Sequence, residues 1–357
     1  MGIASRPDSR TCGRDTRPLV EGIAVDAVAL YEEARLRGTA LAGHYNRNVR
    51  VQADTGPVIV RMREGASEAM DLTLWGESEV LEAIGPYVPS APRLIYAGAD
   101  PDFQIHEFVA GRRVDELVPD GKPLPEAVLK AVEGFFGDLL RVPVAALPAI
   151  PRGWPHDGDT GGFAERLLGF VHEIRHRGDA GVGRLYEALT IPDDPCGALR
   201  ARARGMARRR FRLLHADIHR KNMILSGEGH VAFLDWELAL WGDPVYDLAD
   251  HLHKMSYTPA ERRRVAEGWE RVAPDECREG WRPGLDYYLA YEAVKSAVVD
   301  AVRWGRRIAE SEDAGERRTL SRELADKIAA AQPHWGPGAS PVPALRDIEA
   351  AVDRWVV

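Results

Sequence analysis

Apolar residues recur at helical spacing from Ala24 to Leu36 (Ala24, Val28, Leu30, Tyr31, Ala34) and Gly38 follows. That pattern predicts a helix stopped by glycine. The period then changes. Leu41 to Tyr45, Asn48 to Ala53 and Val58 to Met62 are short β-type runs, and Asp54-Thr55-Gly56-Pro57 between the last two is a hairpin turn signal. A helix is predicted from about Leu72 to Ile84, then strands at Arg93 to Ala97 and Phe103 to Phe108 around Asp100-Pro101-Asp102. Strands with one inserted helix suit a small α+β lobe. From Pro123 the pattern is mainly helical, over about 124–141, 161–176, 180–189, 197–209, 259–271, 284–309, 314–331 and 344–355. Its one β interruption runs through Arg212 to Leu225 and Val231 to Leu234. Loops rich in Pro and Gly, Pro148 to Gly162 and Pro333 to Pro343, separate helices, and there are no internal repeats. The expected organisation is a tail over 1–18, an N-terminal lobe over 19–111 and a helical C-terminal lobe over 112–357.

Composition changes this picture little. A chain of 357 residues is long enough for two lobes. No apolar run approaches the roughly 20 residues that span a bilayer, and the polar, Arg-rich start from Met1 to Pro18 lacks the apolar core of a signal peptide. A cytoplasmic protein without a membrane partner is expected. The net charge of −8 argues against nucleic-acid binding, which relies on basic surface. It is compatible with a cationic substrate, although whole-protein charge says little about a pocket. The seven arginines between Arg200 and Arg212 therefore read as a solvated helix, not a nucleic-acid patch. Cys12, Cys196 and Cys277 are scattered and form neither a disulfide framework nor a metal pair, so they read as reduced thiols.

The chemistry lies in the β interruption. His215-Ala216-Asp217-Ile218-His219-Arg220-Lys221-Asn222 holds an Asp and, five residues on, an Asn. The apolar strand Val231-Ala232-Phe233-Leu234 then delivers Asp235, thirteen residues beyond that Asn. Phosphoryl transfer needs a carboxylate to orient and deprotonate an attacking hydroxyl, and oxygen ligands for Mg²⁺ on the donor phosphates. Asp217 suits the first role, and Asn222 with Asp235 the second. Mg²⁺ takes few protein ligands and keeps several waters, so one amide and one carboxylate suffice. His215, Asp217 and His219 could instead ligate a borderline metal such as Zn²⁺, but that leaves Asn222, Asp235 and Asp247 idle. Lys221 reads as an exposed lysine.

H-x-D-x-H-x-x-N, then Leu234-Asp235-Trp236-Glu237, then Gly242-Asp243-Pro244-Val245-Tyr246-Asp247-Leu248-Ala249 fall in order within 35 residues. Together they resemble the aminoglycoside phosphotransferase and choline kinase family. The resemblance is strongest over 211–250 and implies a protein-kinase-like α+β fold of two lobes, a small β-rich N-terminal lobe and a larger, mainly helical one. It implies Asp217 as base or orienter, Asn222 and Asp235 on Mg²⁺, and ATP or GTP as co-substrate. His215 and Asp247 would brace the loop.

In the N-terminal half, Arg61 matches the strand cation that grips donor phosphates. Aminoglycoside kinases usually carry Lys there, and the two are not interchangeable. Arg63 alternates to the same side, so periodicity does not separate the two. Glu77 matches the helix glutamate that orients the cation, with Glu79 as its rival. Gly43-His44-Tyr45-Asn46-Arg47-Asn48 stands where a phosphate loop belongs, with Tyr45 and Asn46 as candidates. It has one glycine and no G-x-G-x-x-G, and reads equally as a hairpin turn. Glu107, Phe108 and Val109 match the linker whose backbone holds the purine. For a cationic or sugar-like acceptor the candidates are Glu237, Trp241, Tyr288, Glu292 and Asp300; Glu292 and Asp300 nearly share a helix face, and the aromatics offer cation–π surface. The expected activity is O-phosphorylation of an antibiotic. A metabolic or biosynthetic kinase is the alternative, and a non-catalytic nucleotide-binding regulator a minor one.

Overall fold

The computed structural model describes residues 26–37, 46–63 and 72–356. The tail, the strand expected over 41–45 and Tyr45 itself lie outside them. The described chain falls into two compact units, one of residues 26–37, 46–63 and 92–108, the other of 72–91 and 109–356. The segment 72–91, expected in the N-terminal lobe, thus groups with the helical unit.

In the first unit, helix α1 (Ala27–Leu36) begins where the Asp26 carboxylate accepts from Ala29 N–H at 3.0 Å. Strands β1 (Asn46–Ala53), β2 (Gly56–Arg63), β3 (Leu94–Ala99) and β4 (Asp102–Glu107) form an antiparallel sheet in the order β1-β2-β4-β3. Alternation sorts the faces. Val58, Val60 and Met62 of β2 join Val49, Val51, Ile105 and Phe103 in a core that α1 covers through Ala27, Leu30 and Ala34. Arg61 therefore points to the opposite face.

The second unit opens with α2 (Glu77–Ile84), five residues later than periodicity predicts. Gly76 caps it, and the Glu79 carboxylate accepts from the Gly76 N–H at 3.1 Å. After β5 (Arg112–Arg113) and the short α3 (Val114–Leu117) come α4 (Glu126–Arg141), α5 (Thr160–Arg177), α6 (Ala180–Ala188) and α7 (Gly197–Ala203). β6 (Arg212–Leu214), β7 (Met223–Leu225), β8 (Val231–Phe233) and β9 (Leu240–Gly242) come next, then α8 (Pro244–Lys254), α9 (Pro259–Val272), α10 (Asp275–Arg278), α11 (Trp281–Glu310), α12 (Ala314–Ala331) and α13 (Leu345–Val356). Among the described residues no helix is long and apolar enough to cross a membrane.

Two small sheets frame the motif loops. β6 pairs antiparallel with β9, and β5, β7 and β8 form a second sheet. The chain crosses from one sheet to the other through loop 215–222 and returns through loop 234–239. The buried stripe of α4 (Val128, Val132, Phe135, Phe136, Leu139) packs beneath them, with the Phe135 ring stacked on Phe233 at 3.8 Å. The sequence pattern misjudges the stretch after α7. The helix expected over 197–209 stops at Ala203, and the arginines beyond it run extended into β6. Arg209 is not solvated: it is fully buried against Asp243.

Candidate active site

Loop 215–222 is held from below by α8. The Asp247 carboxylate accepts from His215 N–H at 3.1 Å and from Ala216 N–H at 2.7 Å. Those bonds fix the backbone around Ala216, which sits at φ 60°. Asp235 is also left-handed, at φ 68°. For residues with a Cβ such conformations cost about 1–3 kcal/mol each and persist only where the surroundings impose them. Here the two strained residues flank the candidate chemistry.

The Asn222 amide donates to the Asp217 carboxylate at 2.9 Å and to the Asp217 carbonyl at 3.0 Å. Asn222 in turn accepts, through its own backbone carbonyl, from Leu234 N–H at 2.8 Å. The loop end and the residue before Asp235 are thus tied together. With the Asn222 NH₂ spent on Asp217, the group it has left is its side-chain oxygen. That oxygen and the Asp235 carboxylate make an all-oxygen donor pair of the kind a hard cation accepts, so the residues fit Mg²⁺. His215 does not join them. Its Nε2–H donates to Leu234 O at 3.1 Å and its ring lies 4.6 Å from Trp236. Among the described residues no group of three or more His, Cys, Asp and Glu is arranged to hold a metal ion.

A lysine that the motifs do not contain completes the arrangement. Lys254, at the end of α8, brings its ammonium 2.7 Å from Asp217 and 2.8 Å from Asp250, and donates to Ala216 O at 3.3 Å. His219 Nε2 stands 3.4 Å from the other Asp217 oxygen. Burial opposes ionisation of Asp217, but Lys254 and His219 outweigh it and hold its carboxyl well below the usual carboxylate range. Asp247 goes the other way. Burial pushes it up to about 7, against the pull of its two backbone N–H bonds. Burial lowers His215 and His251 to about 4, so both are neutral imidazoles. His251 Nδ1–H donates to Ile218 O at 2.9 Å, and its Nε2 accepts from Tyr257 OH at 2.8 Å.

Asp247, Asp250, His251 and Lys254 are spaced three, four and seven apart, so one face of α8 cradles the loop. That spacing was a usable signal, but the sequence pattern flags only Asp247. Arg220, also unflagged, is buried within the loop and donates to Met255 O at 2.9 Å and to Val118 O and Pro119 O at 3.0 and 2.8 Å. Arg209 Nε donates to Asp243 at 2.9 Å, and Asp243 also caps α8 through Val245 N–H.

The remaining expected residues are more dispersed. Glu77, buried at the start of α2, accepts from Trp236 N–H at 3.1 Å, beside Asp235 in sequence. In the first unit, Arg61 lies opposite Asn48 and Gln104 in the sheet. It adds to the burial that keeps the His106 imidazole neutral, with a pKa lowered to about 3. Asn46 begins β1 opposite Arg63. Glu107 pairs with Arg93 at 2.7 Å, and Arg50 lies over the Phe108 ring at 4.2 Å. Val109 begins the second segment of the helical unit, in the stretch between β4 and β5. Of the acceptor candidates, Glu237 is half-buried in loop 234–239. Trp241 is buried in β9, and Tyr288, fully buried, donates its OH to Asp243 at 2.9 Å. Glu292 pairs with Lys295 at 2.7 Å and Asp300 with Lys327 at 2.8 Å. None of these five lines the cavity beside Ala216 and Lys254.

The fold is shared with known kinases. The ethanolamine kinase of Plasmodium vivax superposes with a TM-score of 0.57 at 13% identity, covering 85% of this chain and 86% of that one. A choline/ethanolamine kinase family protein from Mesorhizobium loti gives 0.54 at 14% identity, covering 91% and 97%. The macrolide 2'-phosphotransferase MphH of Brachybacterium faecium gives 0.50 at 17%, covering 86% and 98%. At these identities the likeness establishes the kinase-like α+β fold. Comparison with curated protein sequences gives no match. The sequence model of the phosphotransferase enzyme family matches residues 38–283. This chain, with its motif triad on a kinase-like fold, belongs to the phosphotransferase enzyme family.

Proposed function

We propose that this phosphotransferase moves the terminal phosphoryl group of ATP or GTP to a hydroxyl of a small molecule, with an antibiotic as the first acceptor class. The observation behind this is the joined geometry of Asp217, Asn222 and Asp235, tied by the Asn222–Asp217 bond of 2.9 Å and the Leu234–Asn222 bond of 2.8 Å. The acceptor oxygen forms a bond to the γ-phosphorus, the bond from that phosphorus to the β,γ-bridging oxygen breaks, and the hydroxyl proton passes to Asp217. Held ionised by Lys254, Asp217 is a weak base, so it works chiefly by fixing the direction of attack. Asn222 through its side-chain oxygen and Asp235 through its carboxylate would hold Mg²⁺, which supplies charge neutralisation on the donor phosphates when bound. Arg61 would add a further cation to those phosphates, and the backbone of Glu107 to Val109 would read the purine. Dependence on a nucleoside triphosphate suits a cytoplasmic enzyme.

Arg61 in place of lysine supports a second reading, a metabolic or biosynthetic kinase of an amino alcohol, sugar or natural-product intermediate. Similarity of fold to both kinds of kinase does not choose between them. One screen tests both: nucleotide consumption over antibiotics, amino alcohols and sugars, with mass analysis of the product for one added phosphate. Asp217→Ala should lower the acceptor-dependent rate by about 10²–10⁴-fold. Undiminished activity in that variant would sink the mechanism, and resistance conferred on a sensitive host would favour the antibiotic reading over the metabolic one.

A further inference from the structure

Asp250 is a buried carboxylate that the mechanism above leaves unused. Its side chain is 0% exposed, on the face of α8 that cradles the loop. Two ammonium groups reach it, Lys254 at 2.8 Å and Lys295 of α11 at 3.5 Å. Neither needs it for neutralisation. Lys254 has Asp217 at 2.7 Å, and Lys295 has Glu292 at 2.7 Å. Three carboxylates therefore meet two ammonium groups, and Asp250 is the one in excess. One of its oxygens, Oδ2, has no hydrogen-bond partner. Taking a charge out of water is unfavourable unless its geometry is excellent, and apolar replacements of buried ionic groups are often neutral or stabilising. Fold stability by itself does not account for a carboxylate here.

Asp217 works through the direction of its carboxylate, so what holds that direction matters. The Asn222 amide donates to Oδ2 at 2.9 Å and His219 Nε2 stands 3.4 Å from it, and both belong to loop 215–222. Among the described residues, the one group from outside the loop on this carboxylate is the Lys254 ammonium, on Oδ1. Lysine is a point charge on a flexible stem, so it fixes a partner only as well as it is itself fixed. Its ammonium has three partners, Asp217 Oδ1, Ala216 O at 3.3 Å and Asp250 Oδ1. That is as many as it has N–H donors, which leaves none for a phosphate or an acceptor. The first two partners belong to the loop. Asp250, one turn back on α8, is the partner that ties the ammonium to the helix.

We propose, resting on the phosphotransferase reading above, that Asp250 is a positioning residue for phosphoryl transfer. It anchors the Lys254 ammonium to α8, and Lys254 thereby holds Oδ1 of Asp217 in the direction that attack requires. Neither residue touches substrate. Asp250 acts wholly through Lys254, which separates this role from a general contribution to packing.

The test is a pair of substitutions, alone and together, in the full-length protein. Asp250→Leu removes the excess carboxylate and strands no charge, since each lysine keeps its other partner. With the acceptor that the screen identifies, kcat should fall by about 10²-fold, the size of a misplacement of about 1 Å, with KM for the nucleotide unchanged. In a Lys254→Met background, Asp250→Leu should lower kcat no further, within about twofold. Asp250→Asn, of the same shape, gives the same reading should the Leu variant not fold. Crystals of the unliganded wild type and variant supply a readout that needs no acceptor: the Asp217 carboxylate should turn from its wild-type direction. The proposal is overturned if the carboxylate keeps that direction, if the loss falls on KM instead of kcat, or if Asp250→Leu lowers kcat as much without Lys254 as with it. A protein that phosphorylates no acceptor sinks the function itself, and the crystallographic comparison still decides the positioning.

Discussion

At the scale of single residues, the site turns on one cation that the motifs do not contain. Lys254 contacts Asp217 at 2.7 Å and is the first of the groups that hold its carboxyl low against burial. Removing an opposite charge lets a carboxyl protonate at higher pH. Lys254→Met should therefore move the acidic limb of the kcat/KM profile upward, by about one pH unit or more, measured with whichever acceptor the screen identifies. A limb that stays in place would show that Lys254 does not set the ionisation of Asp217. Such a contact is hard to read from sequence, because Lys254 lies 37 residues beyond Asp217. Asn222 and Asp217 are only five apart, in one loop, and their pairing is legible.

At the scale of elements, α8 is the support on which the loop rests, and its own anchor is buried. Asp243 caps its first turn, accepts from Tyr288 OH, and is paired with Arg209 with neither side chain exposed. Breaking a buried pair by removing one partner strands the other charge and costs about 3–5 kcal/mol. Arg209→Met should lower stability by about that amount in urea unfolding; a loss under about 1 kcal/mol would mean that Asp243 finds other compensation. The arginine run shows why this was illegible. Arg208, Arg209 and Arg210 look alike in sequence, and only the turn of the chain after Ala203 sends the middle one inward. Periodicity does well where packing is local and repetitive: α4, α5, α9 and α12 begin and end within two residues of expectation. It overlooks α8, although Asp243-Pro244 is an N-cap followed by proline at the first helical position.

At the scale of the whole molecule, the buried histidines set the response to acid. His215, His251 and His253 of the helical unit are lowered by burial to about 4, against the ordinary 6.5. Their folded values are depressed, so between pH 6.5 and 4 the unfolded chain binds more protons and stability falls as pH falls. Asp247 opposes this: raised to about 7, its ionised form is a cost that acid relieves. Three histidines outweigh one aspartate. At pH 5 the protein should be less stable than at pH 7 by about 3 kcal/mol from these groups together. Thermal unfolding in the two buffers measures this, and an equal or higher Tm at pH 5 would contradict it.

By itself the sequence determined the reaction class and the inventory of elements. Both are local matters: a loop of eight residues carries Asp217 and Asn222, the next hairpin carries Asp235, and apolar spacing carries the helices. Only the tertiary structure decided how the charges of α8 and α11 come together. Asp250 and Lys254 on α8 and Glu292 and Lys295 on α11 form one cluster across two helices. That Lys295 of α11 also reaches Asp250 of α8, at 3.5 Å, depends on how the two helices pack, and packing is a property that no spacing along the chain records.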